Sequence, residues 1–160
     1  MKEESQTVLV TEIARDVLTE IAPQELSVFV PASRAFFANP QAVIKQTRST
    51  DASLGFGADP FIVYLTPVVL HVLNETYKFL IEVAKKAVAD ELAKETPDII
   101  RGMFKKFSTT KVAVHITLTP EQLELVHANA ILAATRLRLS PDKAKALANA
   151  ITTQLVLPEE

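Results

Sequence analysis

Proline punctuates this chain, and its placement constrains the fold more than any other feature. Nine prolines stand against three glycines in 160 residues. Four follow a hydroxyl residue, in Thr66-Pro67, Thr96-Pro97-Asp98, Thr119-Pro120-Glu121-Gln122 and Ser140-Pro141-Asp142. Proline lacks the N–H that the first helical turn leaves unpaired, and its φ is already set for a helix. A hydroxyl just before it accepts from one of the free N–H groups that follow. Three of the four starts add an acid at N2, where it meets the positive end of the helix dipole. Gln122 completes a capping box with Thr119. Helix starts repeated in this way predict an all-α chain.

The apolar spacing fills in the elements. Leu9, Ile13, Val17, Leu18 and Ile21 lie on one face of a helix over Thr7 to Ile21, which Pro23 ends. A short helix from Gln24 to Val30 follows, then Pro31 and a helical turn through Ala35, Phe36 and Phe37, then a short piece opened by Asn39-Pro40 that carries Val43 and Ile44. Residues 47–59, rich in Ser, Thr and Asp and holding Gly55-Phe56-Gly57, read as a surface loop. Residues 1–6 and 158–160 read as disordered tails.

Pro60 to Asn74 is a run of fifteen residues without a charge. It becomes the front of a helix capped at Thr66 and continuing to about Glu95, roughly 29 residues and about 40 Å long. Its polar residues, His71, Asn74, Glu75, Lys78, Glu82, Lys85 and Lys86, keep to one stripe, as on the central helix of a bundle. The apolar girth has three candidate hosts: the chain's own core, a second copy, or a bilayer. A membrane span needs about 20 apolar residues, and this run ends at Glu75 and contains His71, so spanning is not predicted.

Beyond Pro97, Ile99, Ile100, Met103, Phe104 and Phe107 share a face opposite Arg101, Lys105 and Lys106, so 98–107 reads as a basic amphipathic helix. Over 111–118, Val112, Val114, Ile116 and Leu118 alternate with more polar residues, the period of a half-buried strand. With no second strand to pair with, this segment is an extended linker or an edge that pairs with another chain. Residues 108–118 are accordingly placed in a loop. The last forty residues form a helical hairpin, with Leu123, Val126, Ala130, Ala134 and Leu137 facing Ala144, Leu147, Ala148, Ile151 and Leu155. The expected architecture is one domain over 1–160, an irregular bundle of about five to seven helices around one long central helix.

Charge and composition remove whole function classes. A net charge of −2 lacks the clustered surplus of Lys and Arg that phosphate neutralisation requires, so nucleic acid is not an expected partner. Absence of cysteine removes disulfides, thiolate metal sites and cysteine nucleophiles. Met1-Lys2-Glu3-Glu4-Ser5 carries acids where a secretory signal needs a cationic start and an apolar run, and the expected setting is cytoplasmic or peripheral to a membrane.

No motif supplies a catalytic constellation. Glu124-x-x-His127 has the spacing by which one helix gives two ligands to a ferritin-like metal pair, but no second Glu-x-x-His accompanies it. Gly55-Phe56-Gly57 lacks the Gly-Lys-Ser or Gly-Lys-Thr of a phosphate-binding loop, and no serine sits in a Gly-x-Ser-x-Gly elbow. Neither a cofactor nor a small-molecule substrate is expected.

Leu54-Gly55-Phe56-Gly57, Leu65-Thr66-Pro67-Val68-Val69, Leu118-Thr119-Pro120-Glu121-Gln122-Leu123 and Leu139-Ser140-Pro141-Asp142-Lys143-Ala144 together resemble a recurrent bacterial helical domain of unassigned activity, over residues 7–157. That resemblance implies no catalytic or binding residue. The expected function is a non-enzymatic protein interaction or adaptor domain, self-associating through Phe61, Tyr64, Val68, Val112, Val114 and Ile116. The alternative is a membrane-surface protein using the 61–73 segment together with Arg101, Met103, Phe104, Lys105, Lys106 and Phe107. A metal-dependent enzyme is a distant third.

Overall fold

The computed structural model describes residues 2–49, 65–88, 94–109 and 115–157. Among these the chain forms seven α-helices: α1 (Lys2–Ile21), α2 (Phe29–Ala38), α3 (Pro40–Ser49), α4 (Leu65–Ala87), α5 (Thr96–Gly102), α6 (Pro120–Arg136) and α7 (Pro141–Thr153). Two 3-10 turns, Pro23–Val28 and Lys105–Phe107, join them. The all-α bundle expected from the proline pattern is the fold observed.

Helix α4 is its axis, in contact with α1, α2, α3, α5 and α6. It spans 23 residues, about 34 Å, shorter than the expected 29 because it stops at Ala87. Glu75, Lys78, Glu82, Lys85 and Lys86 hold the exposed stripe, with His71 and Asn74 half-buried at its upper end. Burial holds the His71 imidazole below its usual pKa, against the pull of Glu75. The rest of the circumference, from Leu65 and Val68 to Leu80 and Ala84, lies in the core.

The start of α4 corrects one reading of the sequence. Thr66 is not the cap, because the helix has already begun at Leu65 and Thr66 is itself buried. Buried N–H groups at a helix start still need acceptors, and Glu25 supplies them from the 3-10 turn. Its Oε1 accepts from the Thr66 backbone N–H at 2.8 Å and the Thr66 hydroxyl at 2.7 Å, and its Oε2 accepts from the Leu65 N–H at 3.2 Å. Glu25 is only 1% exposed. Burial pushes its carboxyl above the usual range, against the opposing effect of these hydrogen bonds and of the Lys143 charge.

Other boundaries also move. Helix α1 begins at Lys2, inside the stretch expected to be a tail, and Gln6 donates to Asn74 of α4 at 3.3 Å. Pro31 lies within the first turn of α2 instead of ending a helix, and α3 extends to Ser49, into the expected loop. Thr96 is the first residue of α5, after Glu95 at the N-cap, and is buried. The basic helix expected over 98–107 ends at Gly102, and Phe104 turns extended. There it forms an antiparallel bridge with Leu155: Lys105 N–H donates to Gln154 O, and Val156 N–H to Met103 O, both at 2.8 Å. Among the described residues no strand occurs; 115–119 are irregular, and the remainder of the expected strand lies outside them.

The C-terminal hairpin forms as read. Thr119 and Gln122 make the reciprocal capping box of α6, and Ser140 caps α7. Between them, Leu139 N–H donates to Ala134 O and Arg138 N–H to Thr135 O, the paired bonds of a Schellman turn. Its left-handed position, usually glycine, is Arg138 at φ 67°.

Two outcomes follow. Glu25→Ala leaves the buried N–H groups of Leu65 and Thr66 without their acceptor and lowers stability by about 3 kcal/mol in denaturant titration. Glu25→Gln isolates the pH dependence: a carboxyl raised above its ordinary 4.5 contributes stability that is fully present below that pH and lost as pH rises through the folded pKa. The wild-type advantage over Glu25→Gln therefore shrinks as pH is raised above 4.5.

Candidate interaction surface

Helix α6 carries apolar residues on two faces. Val126, Ala130, Ala133 and Ala134 are buried toward α4 and α7. Leu125, Ala128 and Leu132 recur at the i, i+3, i+7 spacing of a second face, yet all three are exposed, Leu125 at 50% and Leu132 at 49%. At 100° per residue these three fall within an arc of about 60°, a narrow apolar stripe along the outside of the bundle. Exposed Asn129 flanks it at mid-length. Exposed Glu121 and Glu124 lie at its N-terminal end and exposed Arg136 at its C-terminal end. Among the described residues the other exposed large apolar side chains, Val8, Val30 and Leu157, come from separate elements.

The residues expected to form a contact surface are placed differently. Val68 is 0% exposed, packed inside the bundle by its position on α4, and so offers no surface. Ile116 is half-buried against the core. Phe61, Tyr64, Val112 and Val114 lie outside the described residues.

The expected lipid-facing set is likewise divided. Met103 and Phe104, 1% and 3% exposed, turn into the core because the chain bends at Gly102 and bridges to Leu155. Phe107 is half-buried beneath the Arg101 guanidinium, 3.8 Å from its ring centre, with Lys106 at 5.8 Å. Lys106 also pairs with Asp16 of α1 at 3.2 Å, while Lys105 is exposed. Among the described residues Met103 and Phe104 thus do not share an exposed helix face with the cationic side chains. No helix among the described residues is long and apolar enough to cross one.

Glu124 is exposed, and His127 Nε2 lies 2.7 Å from the Asn149 amide oxygen of α7, so His127 links the two arms of the hairpin. Among the described residues no group of three or more His, Asp or Glu side chains is placed to hold a metal. An open groove of about 270 Å³ between α1 and α5 presents Glu4, Asp98 and Arg101 beside Val8 and Pro97. Its charges are of both signs, and Ser5 also lines it. Tyr77, whose phenol is pushed up by burial and by Asp98, belongs to the α4 core.

Sequence reasoning misses the outer stripe because it reads α6 only through its seam residues, Leu123, Val126, Ala130, Ala134 and Leu137, and gives the remaining apolar positions no role. The available signal is the second set at Leu125, Ala128 and Leu132, bracketed by opposite charges. The chain matches no protein-family model, no curated protein and no solved structure.

Because both leucines are half in water, Leu125→Gln with Leu132→Gln changes stability by less than about 1 kcal/mol. Leu147→Ala, on the buried face of α7, costs about 2 to 5 kcal/mol. Thermal denaturation of the two variants side by side measures the contrast.

Proposed function

We propose that this chain is a non-enzymatic helical interaction domain whose contact surface is the outer face of α6. One observation carries the reading: two leucines and an alanine at helical spacing are exposed on a helix whose opposite face is committed to the core. An apolar stripe rimmed by charge is the kind of surface by which helices dock on other helices. The bundle behind it supplies rigidity, since α6 is held by α4 and α7 along its buried side.

A photo-activated cross-linking residue introduced at Leu132 in the producing cell tests this. A discrete adduct is expected at that position, lost when Ala128→Arg places a charge in the middle of the stripe, and absent when the same residue replaces exposed Arg34 of α2. Equal labelling at both positions, or none at Leu132, overturns the reading.

A further inference from the structure

The interaction reading leaves open what covers the stripe, and the order of residues along α6 narrows it. We infer that the occupant is a second copy of this chain, its α6 packed antiparallel on the first about a two-fold axis between Ala128 and Asn129. This inference rests on the interaction reading above.

The exposed face is self-complementary under that rotation. Antiparallel pairing centred between residues 128 and 129 sets Leu125 against Leu132 of the partner subunit. It sets Glu121 against Arg136 of the partner subunit, and the reverse at the far end. A two-fold interface requires such reciprocity, with each patch supplying both halves of every contact. At the centre Ala128 and Asn129 lie about 100° apart on opposite edges of the stripe, so Ala128 faces Ala128 of the partner subunit and Asn129 faces Asn129 of the partner subunit, with the leucines filling the space between at a helix separation of about 9 Å. A polar amide at the centre of an apolar helix pair favours one register at some cost in affinity, as a single asparagine does in a coiled coil. Glu121 and Arg136 also complement α6's own dipole, which explains charges at the helix ends but not the exposed leucines spaced symmetrically between them. Parallel pairing would instead bring Glu121 against its own copy, a like-charge contact. One helix pair buries less than a standard interface of about 1,200 Å² or more, so the dimer is weak and reversible.

The chain has no cysteine, so an introduced one reports the register directly. Under mild oxidation Ala128→Cys, close to the axis, is expected to form a disulfide-linked dimer. Glu121→Cys is not, because its two copies lie about 22 Å apart along the helices, far beyond disulfide reach of about 7 Å. Glu121→Cys mixed with Arg136→Cys is expected to cross-link.

Sedimentation equilibrium up to hundreds of micromolar supplies a second measurement. Glu121→Arg or Arg136→Glu alone weakens dimerisation about tenfold by placing like charges opposite each other, and the double exchange restores it. Circular dichroism verifies that each variant is folded. Self-linking of Glu121→Cys as readily as Ala128→Cys overturns the antiparallel arrangement. A chain that stays monomeric throughout overturns self-association; if the Leu132 adduct in cells then contains a different protein, the interaction reading survives without this inference. No adduct at Leu132 defeats both.

Discussion

A carboxylate removed from water holds the start of the central helix. Helix α4 reaches five other helices, so its direction sets theirs, and its first turn is buried where solvent has no access to the unpaired N–H groups. Glu25 answers that need from forty residues earlier in the chain, through three hydrogen bonds. Burial disfavours the charge, while the donors and the positive helix end favour it. The contact also fixes the 3-10 turn carrying Glu25, and through it the angle between α1 and α2. Local backbone geometry at one end of the chain is thereby tied to the orientation of the core.

The elements legible in the sequence are those whose determinants are local. Thr119 with Gln122, and Ser140 before Pro141, cap the helices they precede because each needs only its neighbours within one turn. The same spelling at Thr66 and Thr96 does not produce the same result. At Thr66 a distant acid takes over the role of acceptor, and the helix starts earlier. That exchange depends on tertiary placement, which no short window of sequence contains. The basic segment fails similarly: the spacing of Ile99, Ile100, Met103, Phe104 and Phe107 fits one continuous helix, but backbone pairing with Gln154 and Val156 wins after Gly102. The alternation at 111–118 suggests extended pairing, and in the described residues the pairing falls at Phe104 and Leu155 instead.

The surface on α6 is less legible than the core, for a physical reason. Alanine is the residue most ambiguous between a tight seam and an open face, since it favours helix and buries little. Helical spacing with Val126 places Ala130 and Ala134 in the seam, where they are buried, but it does not say whether Ala128 on the other side is covered, and in the bundle it is exposed. By contrast, the sequence reading places Val68 on a contact surface because of the apolar girth of the long helix, for which the chain's own core, a second copy and a bilayer are all candidate hosts. With five helices around α4, the core absorbs it from Leu65 onward.

The bridge between Phe104 and Leu155 bears on how the molecule comes into being. A chain made from its N-terminus presents α1 through α5 before α7 exists. The bend after α5, with the backbone groups of Met103 and Lys105, has no partner until Gln154 and Val156 emerge. Met103 and Phe104 therefore remain without their final cover during synthesis, and the basic stretch beside them is a nascent segment that a chaperone could hold. The last turn of the described chain acts as a latch, closing the bend after α5 through its two backbone hydrogen bonds with Met103 and Lys105.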